Sequence, residues 1–345
     1  MKRFLAGLIL LSVVTASSTQ ASWLSDGKYA AEFLSIGVDA RAQGMGGAYA
    51  ALSDGASSLY WNPAGLAHLN SHHLTLMHAE QFEGIVGYDY LGYGRPGKDQ
   101  SGWGFGLIRL GVDNIPVTAL EDPSQPLGAD NRVIVDYMTT DTEMALLAGY
   151  GRQYSSKFAY GASVKVIGKW VADNSAYGLG FDLGVKYKPW KHFAFGAVLQ
   201  DVTTTALIWD TGHKEAIAPT FKLGSAYQVD IPSLIARLTL AADVDFRFTD
   251  RGEADQFQFG AITADTHVGL EYLIDISGTK LALRGGSEPS REQQEHGFFG
   301  NYTFGAGILF SALQIDYAFL AHPELGDTHR VSLNLLWGKR SKKNG

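Results

Sequence analysis

The feature that most constrains the fold is a long alternation of apolar and polar residues with a period of two. From Tyr177 to Lys188, Tyr, Leu, Phe and Val occupy every second position, and Gly, Asp and Lys occupy most of the positions between them. The same alternation covers 234–248, and shorter versions cover 313–319 and 331–337. Successive side chains of a β-strand point to opposite faces, so the pattern predicts strands with one apolar face and one polar face.

The length of these strands separates two interpretations of the alternation. A soluble sandwich with one face in water would give the same pattern, but strands of soluble proteins usually run about 5–6 residues. The longer strands predicted here run about 10–14 residues, which is enough to cross a bilayer at a tilt. Aromatic residues also lie near strand ends, as at Tyr177, Tyr187 and Trp337, which is typical of an interfacial girdle.

The sequence therefore predicts an all-β protein, a transmembrane antiparallel β-barrel of about 14 strands. Its connections alternate between short and long from the third strand onward, as in bacterial outer-membrane barrels. The longest connection is expected at 111–141. The predicted strands cover 72–79, 83–92, 101–110, 142–151, 157–168, 177–188, 192–200, 220–229, 234–248, 263–274, 279–286, 301–310, 312–320 and 328–337.

Composition excludes several other classes of protein. Charged residues make up 18% of the 345 residues, against about 25% in ordinary soluble domains. The chain has no cysteine, which excludes a disulfide scaffold, an Fe–S site and a lipid-modified N-terminal cysteine. The net charge of −7 argues against a nucleic-acid partner, and the basic residues of 338–345 are expected to form a solvated tail.

The first residues have the organisation of a secretory signal peptide. Lys2 and Arg3 precede an apolar stretch from Phe4 to Val14, and small residues follow near Ala21, so we expect residues 1–21 to be removed. The alternative is a buried N-terminal helix. Beyond this segment no apolar run is long enough for a transmembrane helix, whereas a closed barrel can cross a membrane because all its backbone groups are paired.

The next segment, 22–71, does not alternate. Residues 40–52 are rich in Ala, Gly and Met, and turn signals follow at 53–55 and at Asn62-Pro63. The segment is too apolar to hang free in water, and a barrel of this size has a lumen that must be filled or guarded. We therefore expect residues 22–71 to fold into the barrel of residues 72–337 as a plug.

Residues 33–42, 45–49 and 60–66 resemble the N-terminal signature of the PorV/PorQ family of outer-membrane proteins. The Asn-Pro-Ala element at 62–64 is shared with the wider group of FadL-like outer-membrane transporters. Residues 316–319 with 325–333 resemble the closing hairpin of the same family. Asp39 stands where that family usually has glycine.

The resemblance implies a fourteen-stranded barrel with an N-terminal plug, located in the cell outer membrane. PorV-like members are accessory proteins of type IX protein secretion, which would make a secretion-system subunit or a secreted protein the partner. FadL-like members carry hydrophobic molecules such as long-chain fatty acids across the outer membrane, which would make a hydrophobic small molecule the ligand. We hold the accessory role as the first hypothesis and the conduit as the alternative.

The segment 22–71 also contains the candidate functional residues. Arg41 is a lone cation in apolar surroundings, so it is expected either to clamp the plug through an inward carboxylate or to lie solvated at the periplasmic mouth. The five carboxylates predicted to face inward are Asp182, Asp243, Asp245, Glu271 and Asp316. The predicted plug or gate residues are Arg41, Met45, Gly46, Gly47, Asn62, Pro63, Ala64 and Gly65.

Other sites are weighed and set aside. Gly44 to Gly47 does not fit a dinucleotide-binding loop, because Tyr49 occupies the position of the last glycine, and close backbone packing is the better interpretation. The Asn62-Pro63 turn is either purely structural or a gate. The histidines of the first strand are too far apart for one metal ion, and no hydrolase, zincin or P-loop pattern occurs. We expect no enzyme activity, metal or cofactor, and outer-membrane lipid as the surroundings.

Overall fold

The computed structural model describes residues 30–202, 204–248, 256–260, 262–289, 300–321 and 326–338. The predicted signal peptide, residues 1–21, lies outside these residues, as does most of the predicted tail. Within the described part of the chain, fourteen long strands form one closed antiparallel sheet, in which the first strand pairs with both the second and the last. The predicted fold class, an all-β barrel of fourteen strands, is confirmed.

Three further short strands lie within connections between the long ones, which gives seventeen in all among the described residues. In chain order the strands are β1 (His72–Gln81), β2 (Val86–Pro96), β3 (Ser101–Leu120), β4 (Val133–Ser155), β5 (Phe158–Val171), β6 (Asn174–Tyr187), β7 (Phe193–Gln200), β8 (Thr205–Trp209), β9 (Lys214–Ile217), β10 (Thr220–Ile231), β11 (Ala236–Arg247), β12 (Phe257–Phe259), β13 (Ile262–Ile276), β14 (Thr279–Glu288), β15 (Asn301–Phe310), β16 (Leu313–Leu320) and β17 (Thr328–Trp337).

The short strands β8, β9 and β12 are absent from the sequence-based prediction. β8 and β9 pair with each other, and β8 also pairs with β6, while β12 pairs with β13. Strands of three to five residues are too short to display a period of two, so alternation could not reveal them.

The connection expected at 111–141 is mostly strand rather than loop. β3 continues to Leu120 and β4 begins at Val133, and the two remain paired beyond the point where they lose β2 and β5. Register shifts interrupt this extension. On β4, residues 133–138 are all exposed, because within the described part of the chain nothing covers either side of the extension. An extension that is solvated on both faces has no reason to alternate, which explains why the pattern missed it.

The two faces of the sheet differ as the alternation predicts. On β6, Leu179, Phe181 and Leu183 point outward and are 52%, 42% and 49% exposed, whereas Asp182 points inward and is 4% exposed. The apolar row is thus on the outside of the barrel and the polar row faces the lumen. This inverts the arrangement of a soluble protein.

Residues 30–71, called here the N-terminal segment, lie in the lumen. They form two short helices, Ala40–Gln43 and Ser58–Trp61, and two 3₁₀ helices, Glu32–Ser35 and Pro63–His68. Most of these residues are buried and form the largest part of the hydrophobic core. Among the described residues, no helix is long and apolar enough to cross a membrane.

Candidate functional site

Arg41, in the helix Ala40–Gln43, lies at the centre of a charged contact between the N-terminal segment and the barrel. Its Nε and Nη2 donate to the two carboxylate oxygens of Glu271 on β13, at 2.9 and 3.0 Å. Its Nη1 donates to Asp54 at 3.1 Å. Glu271 is one of the five carboxylates considered from the sequence. Bidentate pairing fixes both the position and the orientation of a guanidinium, so the contact sets where the segment sits.

Glu271 is in turn held by a second arginine. Arg284 Nε on β14 donates to Glu271 at 2.7 Å, and Arg284 Nη1 donates to Asp316 on β16 at 2.8 Å. The side chains of Glu271, Arg284 and Asp316 are at most 2% exposed. Buried charges of this kind are tolerated only when they are paired. The chain of ion pairs therefore runs without a break from the N-terminal segment into β13, β14 and β16.

The other four candidate carboxylates do not bind Arg41, and Asp316 reaches it only through Arg284 and Glu271. Asp243 on β11 accepts hydrogen bonds from the backbone N–H groups of Tyr49 and Ala50, at 2.8 and 2.7 Å. Asp182 pairs with Lys165, and Asp245 pairs with Lys222. Asp243 thus still binds the N-terminal segment, but through its backbone. Asp182 and Asp245 belong to ion pairs between neighbouring strands.

Gly46 and Gly47 let the segment approach the barrel backbone. Both have positive φ angles, 63° and 76°, which glycine adopts without a steric cost. Gly46 N–H donates to Thr303 Oγ1 at 3.0 Å, and Gly46 C=O hydrogen-bonds with His267 Nδ1 at 2.7 Å. A Cβ on Gly46 would lie 2.5 Å from the carbonyl oxygen of Ser287, so no other residue fits this position unshifted.

Met45 precedes this contact and is completely buried. Its backbone carbonyl lies so close to Gly269 on β13 that a Cβ there would be 2.5 Å away. The sequence-based interpretation of Gly44 to Gly47 as a site of close backbone packing describes this geometry.

Asn62 connects three parts of the molecule. Its Oδ1 accepts from Ala64 N–H at 3.1 Å and caps the 3₁₀ helix Pro63–His68. Its Nδ2 donates to the carbonyl of Ala50 at 2.9 Å and to the carbonyl of Val185 on β6 at 3.1 Å. The Asn-Pro turn therefore does more than reverse the chain, because it also attaches the segment to the barrel.

Pro63, Ala64 and Gly65 complete this attachment. The backbone of Pro63 and Ala64 lies directly over Gly161 on β5, where a Cβ would be 2.4 Å from the Pro63 carbonyl carbon. Ala64 is fully buried, and Gly65 sits between the hydroxyls of Ser53 and Ser58. All eight predicted plug or gate residues thus lie in the lumen, distributed over two contact regions around Arg41 and Asn62.

An aromatic cluster occupies the space between these two regions. Trp61 packs edge-on against Tyr49 and Tyr60, with ring centroids 6.0 and 4.9 Å away. The Trp61 Nε1–H donates to the carbonyl of Val38 at 2.9 Å. Apolar and aromatic side chains from the inner face of the barrel join the same core, namely Met77, Tyr88, Tyr90, Ile108 and Leu147.

Asp39 is held in an unusual backbone conformation. Its φ angle is 70°, in the region that favours glycine. Its carboxylate accepts from Arg41 N–H at 3.1 Å and from the Ser57 hydroxyl at 2.9 Å. Burial, together with the nearby Asp316 carboxylate, raises the pKa of Asp39 to about 6. These two hydrogen bonds need a side-chain acceptor, which explains why Asp occupies this position in spite of its positive φ angle.

Several contact residues were missed from the sequence. Lys186 Nζ donates to the carbonyl of Ser53, and Ser332 Oγ accepts from Ala40 N–H at 2.7 Å. Glycines on the inner face make room for the segment, because a Cβ at each of them would lie within 2.5 Å of a segment atom. They are Gly102, Gly161, Gly184, Gly196, Gly269 and Gly286. The only sequence signal for them was glycine at alternate positions on the polar face of a strand.

Comparison with protein families gives one match. The model of the uncharacterised protein family UPF0164 matches residues 10–121, a range that includes the N-terminal segment and strands β1 to β3. Comparison with curated protein sequences gives no match.

Comparison with solved structures gives the fold. The toluene transporter TbuX of Ralstonia pickettii has a TM-score of 0.55 at 14% identity, over 88% of this chain and 98% of its own. A FadL homologue of Pseudomonas aeruginosa has a TM-score of 0.53 at 13% identity, over 87% of this chain and 98% of its own. At such identities the likeness establishes a shared fold.

The closed barrel and its apolar outer face place the protein in the outer membrane. A closed sheet leaves no unpaired strand edge in the bilayer, and an outward apolar band meets the lipid chains. The solved structures that share the fold are outer-membrane barrels of the FadL type. The site described above is therefore the contact between a lumenal segment and the inner face of an outer-membrane barrel.

Proposed function

We propose that the protein is a conduit for a hydrophobic small molecule across the outer membrane, and that residues 22–71 are its plug. The observation that carries the proposal is the composition of the lumen. Charged contacts hold the N-terminal segment to the inner face at Arg41 and Asp243, whereas aromatic and aliphatic side chains fill the space between. Pockets for hydrophobic ligands have this character, with an apolar lining and a few fixed polar groups.

The aromatic cluster gives the route a chemical character. Tyr49, Tyr60 and Trp61 of the segment face Met77 and Tyr90 of the barrel within one core. Such side chains offer favourable contacts to hydrocarbon chains and to aromatic rings. Polar solutes would find few partners there, so the route discriminates against sugars and ions.

The shared fold supports the same proposal. TbuX is a toluene transporter, and the P. aeruginosa protein is a FadL homologue. The structural match covers 98% of each of these two chains. A hydrophobic cargo is therefore the class of ligand that fits both the lumen and the fold.

The eight plug residues act as the gate in this proposal. Arg41 and the turn Asn62 to Gly65 attach the segment at separate places on the inner face, so a displacement of the segment must break one attachment first. The Arg41 side depends on hydrogen bonds and ion pairs, whereas the Pro63 side depends on close packing against glycine. We expect the conduit to be closed while both attachments are intact.

A liposome assay tests the proposal. Purified protein is reconstituted into vesicles, and the entry of a fluorescent long-chain fatty acid, of toluene and of a sugar is followed against protein-free vesicles. A conduit of the proposed kind accelerates entry of at least one of the two hydrophobic probes and leaves sugar entry unchanged. Equal entry of all three probes, or no acceleration of either hydrophobic probe, would contradict it.

The accessory role in protein secretion is the second candidate, and one feature favours it. The extension of β3 and β4 projects beyond the barrel and exposes apolar residues, among them Val133, Val135 and Tyr137 at 51%, 53% and 44%. Exposed apolar patches often mark protein contacts. The comparisons offer no support for the PorV/PorQ resemblance on which this role rests. A secretion subunit that co-purifies with the protein and is detected by native mass spectrometry would support the accessory role.

A further inference from the structure

The apolar band on the outside of the barrel is much narrower at β3 than at β6. On β6 it runs from Tyr177 to Tyr187, which is about 34 Å along the strand at about 3.4 Å per residue. On β3 the outward residues Trp103, Phe105 and Leu107 are followed by Arg109, so the apolar stretch spans only about 14 Å. The outward apolar row is thus about 20 Å shorter on β3 than on β6.

The same boundary continues across the neighbouring strands. In the same direction along the barrel, the next outward residue after Leu91 on β2 is Asp89, and the next after Leu76 on β1 is His78. All of these side chains lie on the outer face, because their neighbours in sequence, such as Met77 and Tyr90, are buried in the lumen. The narrowing is therefore a property of the surface formed by β1, β2 and β3 and not of one strand.

The charged residues at this boundary form a cluster of mixed sign. His78 Nδ1 hydrogen-bonds with Asp89 at 2.7 Å, and Arg109 Nη1 lies 3.4 Å from the same carboxylate. Glu80 lies 3.8 Å from His78 Nε2. The side chains are 59%, 42% and 36% exposed for His78, Asp89 and Arg109. Each of them keeps free surface for a further partner.

A groove runs from this cluster toward the apolar side of the boundary. It has a volume of 420 Å³ and is lined by apolar side chains together with three members of the cluster, His78, Asp89 and Arg109; the apolar residues are Leu76, Leu91, Leu107, Val331 and Leu333. One end of the groove is polar and the other is apolar, which is the chemical character expected of a site for an amphiphile.

We propose that this groove binds a phospholipid with a phosphoethanolamine headgroup. The two signs of charge argue for a zwitterionic headgroup: the guanidinium of Arg109 fits the phosphate, and the carboxylate of Asp89 fits the ammonium. One acyl chain lies between Leu76, Leu91 and Leu107. The bound lipid covers charges that would otherwise face hydrocarbon, where they are unfavourable, and compensates the narrow band.

This site is separate from the lumen, so the proposal stands or fails independently of the conduit. It concerns the outer surface of β1, β2, β3 and β17, whereas the plug contacts lie on the inner face. A protein without any transport activity could still bind the lipid there.

Native mass spectrometry in detergent micelles tests the proposal. The micelles contain phosphatidylethanolamine or phosphatidylglycerol with the same acyl chains, and lipid adducts are counted for the wild type and for Arg109→Leu, Asp89→Asn and Arg95→Leu. Arg95 is an exposed residue on the outer face at the other end of β2, so Arg95→Leu is the matched control. Heat-modified mobility on gels confirms that each variant is folded.

The wild type is expected to retain phosphatidylethanolamine in preference to phosphatidylglycerol. Arg109→Leu lowers retention of both lipids by about tenfold, the loss expected for one charge-assisted hydrogen bond. Asp89→Asn removes the preference between the two, because the ammonium loses its partner, and Arg95→Leu changes nothing. Equal retention by the wild type and folded Arg109→Leu, or a preference for phosphatidylglycerol in the wild type, would overturn the proposal.

Discussion

At the scale of single residues, Arg41 docks the N-terminal segment through a bidentate ion pair with Glu271. Arg41→Ala removes a bidentate contact and leaves Glu271, with a side chain 2% exposed, to Arg284 alone. Loss of one partner from a buried ion pair costs about 3–5 kcal/mol, and the 19% exposure of Arg41 places the cost near the lower end. We predict a loosened segment and a higher single-channel conductance in planar bilayers.

A control ion pair is available at the exposed ends of β10 and β11. Arg237 pairs with Asp230 at 2.7 Å, and both side chains are about half-exposed, at 49% and 55%. Exposed pairs contribute about 0–1 kcal/mol, so Arg237→Ala should leave conductance unchanged. If Arg41→Ala conducts no more than Arg237→Ala, the Arg41 contact does not hold the segment.

The sequence could identify Arg41 but not its partner. A single arginine among Ala, Gly and Met needs a carboxylate wherever it is buried, and alternation placed five carboxylates on the inner face. Which of them it meets depends on how the segment lies in the lumen. Two backbone conditions, the positive φ angles of Asp39 and Gly46, set that path, and neither follows from periodicity.

At the scale of elements, alternation located the barrel strands because each crosses the bilayer with one face in lipid. The limits of β15 and β17, at 301–310 and 328–337, agree with the prediction residue for residue. Alternation did not predict β8, β9 and β12, nor the outer parts of β3 and β4. These stretches lie where water or protein surrounds both faces, so no difference between faces is imposed on the sequence.

The inner-face glycines offer a test of how the strands receive the segment. A Cβ on Gly161 would lie 2.4 Å from the Pro63 carbonyl carbon, a contact with rigid backbone. Gly161→Ala should therefore displace the turn Asn62 to Gly65, at a cost of about 1–3 kcal/mol for overpacking. We predict a higher single-channel conductance for this variant than for the wild type.

Gly285→Ala serves as the control for this substitution. A Cβ on Gly285 meets its nearest atom, the carbonyl oxygen of Thr303, at 3.9 Å, which is an ordinary contact. Both changes reduce the flexibility of the unfolded chain equally. We expect Gly285→Ala to have the single-channel conductance of the wild type. A similar rise in conductance in both variants would mean that close packing at Gly161 does not cause the rise.

At the scale of the whole molecule, the protein is a closed barrel whose apolar side chains face outward and whose lumen holds its own N-terminal segment. The sequence predicted the barrel, because an outward apolar row over long strands fits a bilayer. That the apolar, non-alternating segment serves as a plug stays a prediction. The sequence could not predict the narrowing of the apolar band at β1, β2 and β3. That feature depends on which charged residues become neighbours when the barrel closes.

Disulfide formation between the segment and the inner face tests this account most directly. Ala40 N–H donates to Ser332 Oγ at 2.7 Å, the chain has no cysteine of its own, and the periplasm is oxidising. We predict that Ala40→Cys with Ser332→Cys forms an internal disulfide during assembly in cells, visible as a shift in non-reducing mobility. Ala40→Cys with Val331→Cys should form none, because Val331 points outward. A disulfide in the second pair, or in neither, would contradict the placement of the segment in the lumen.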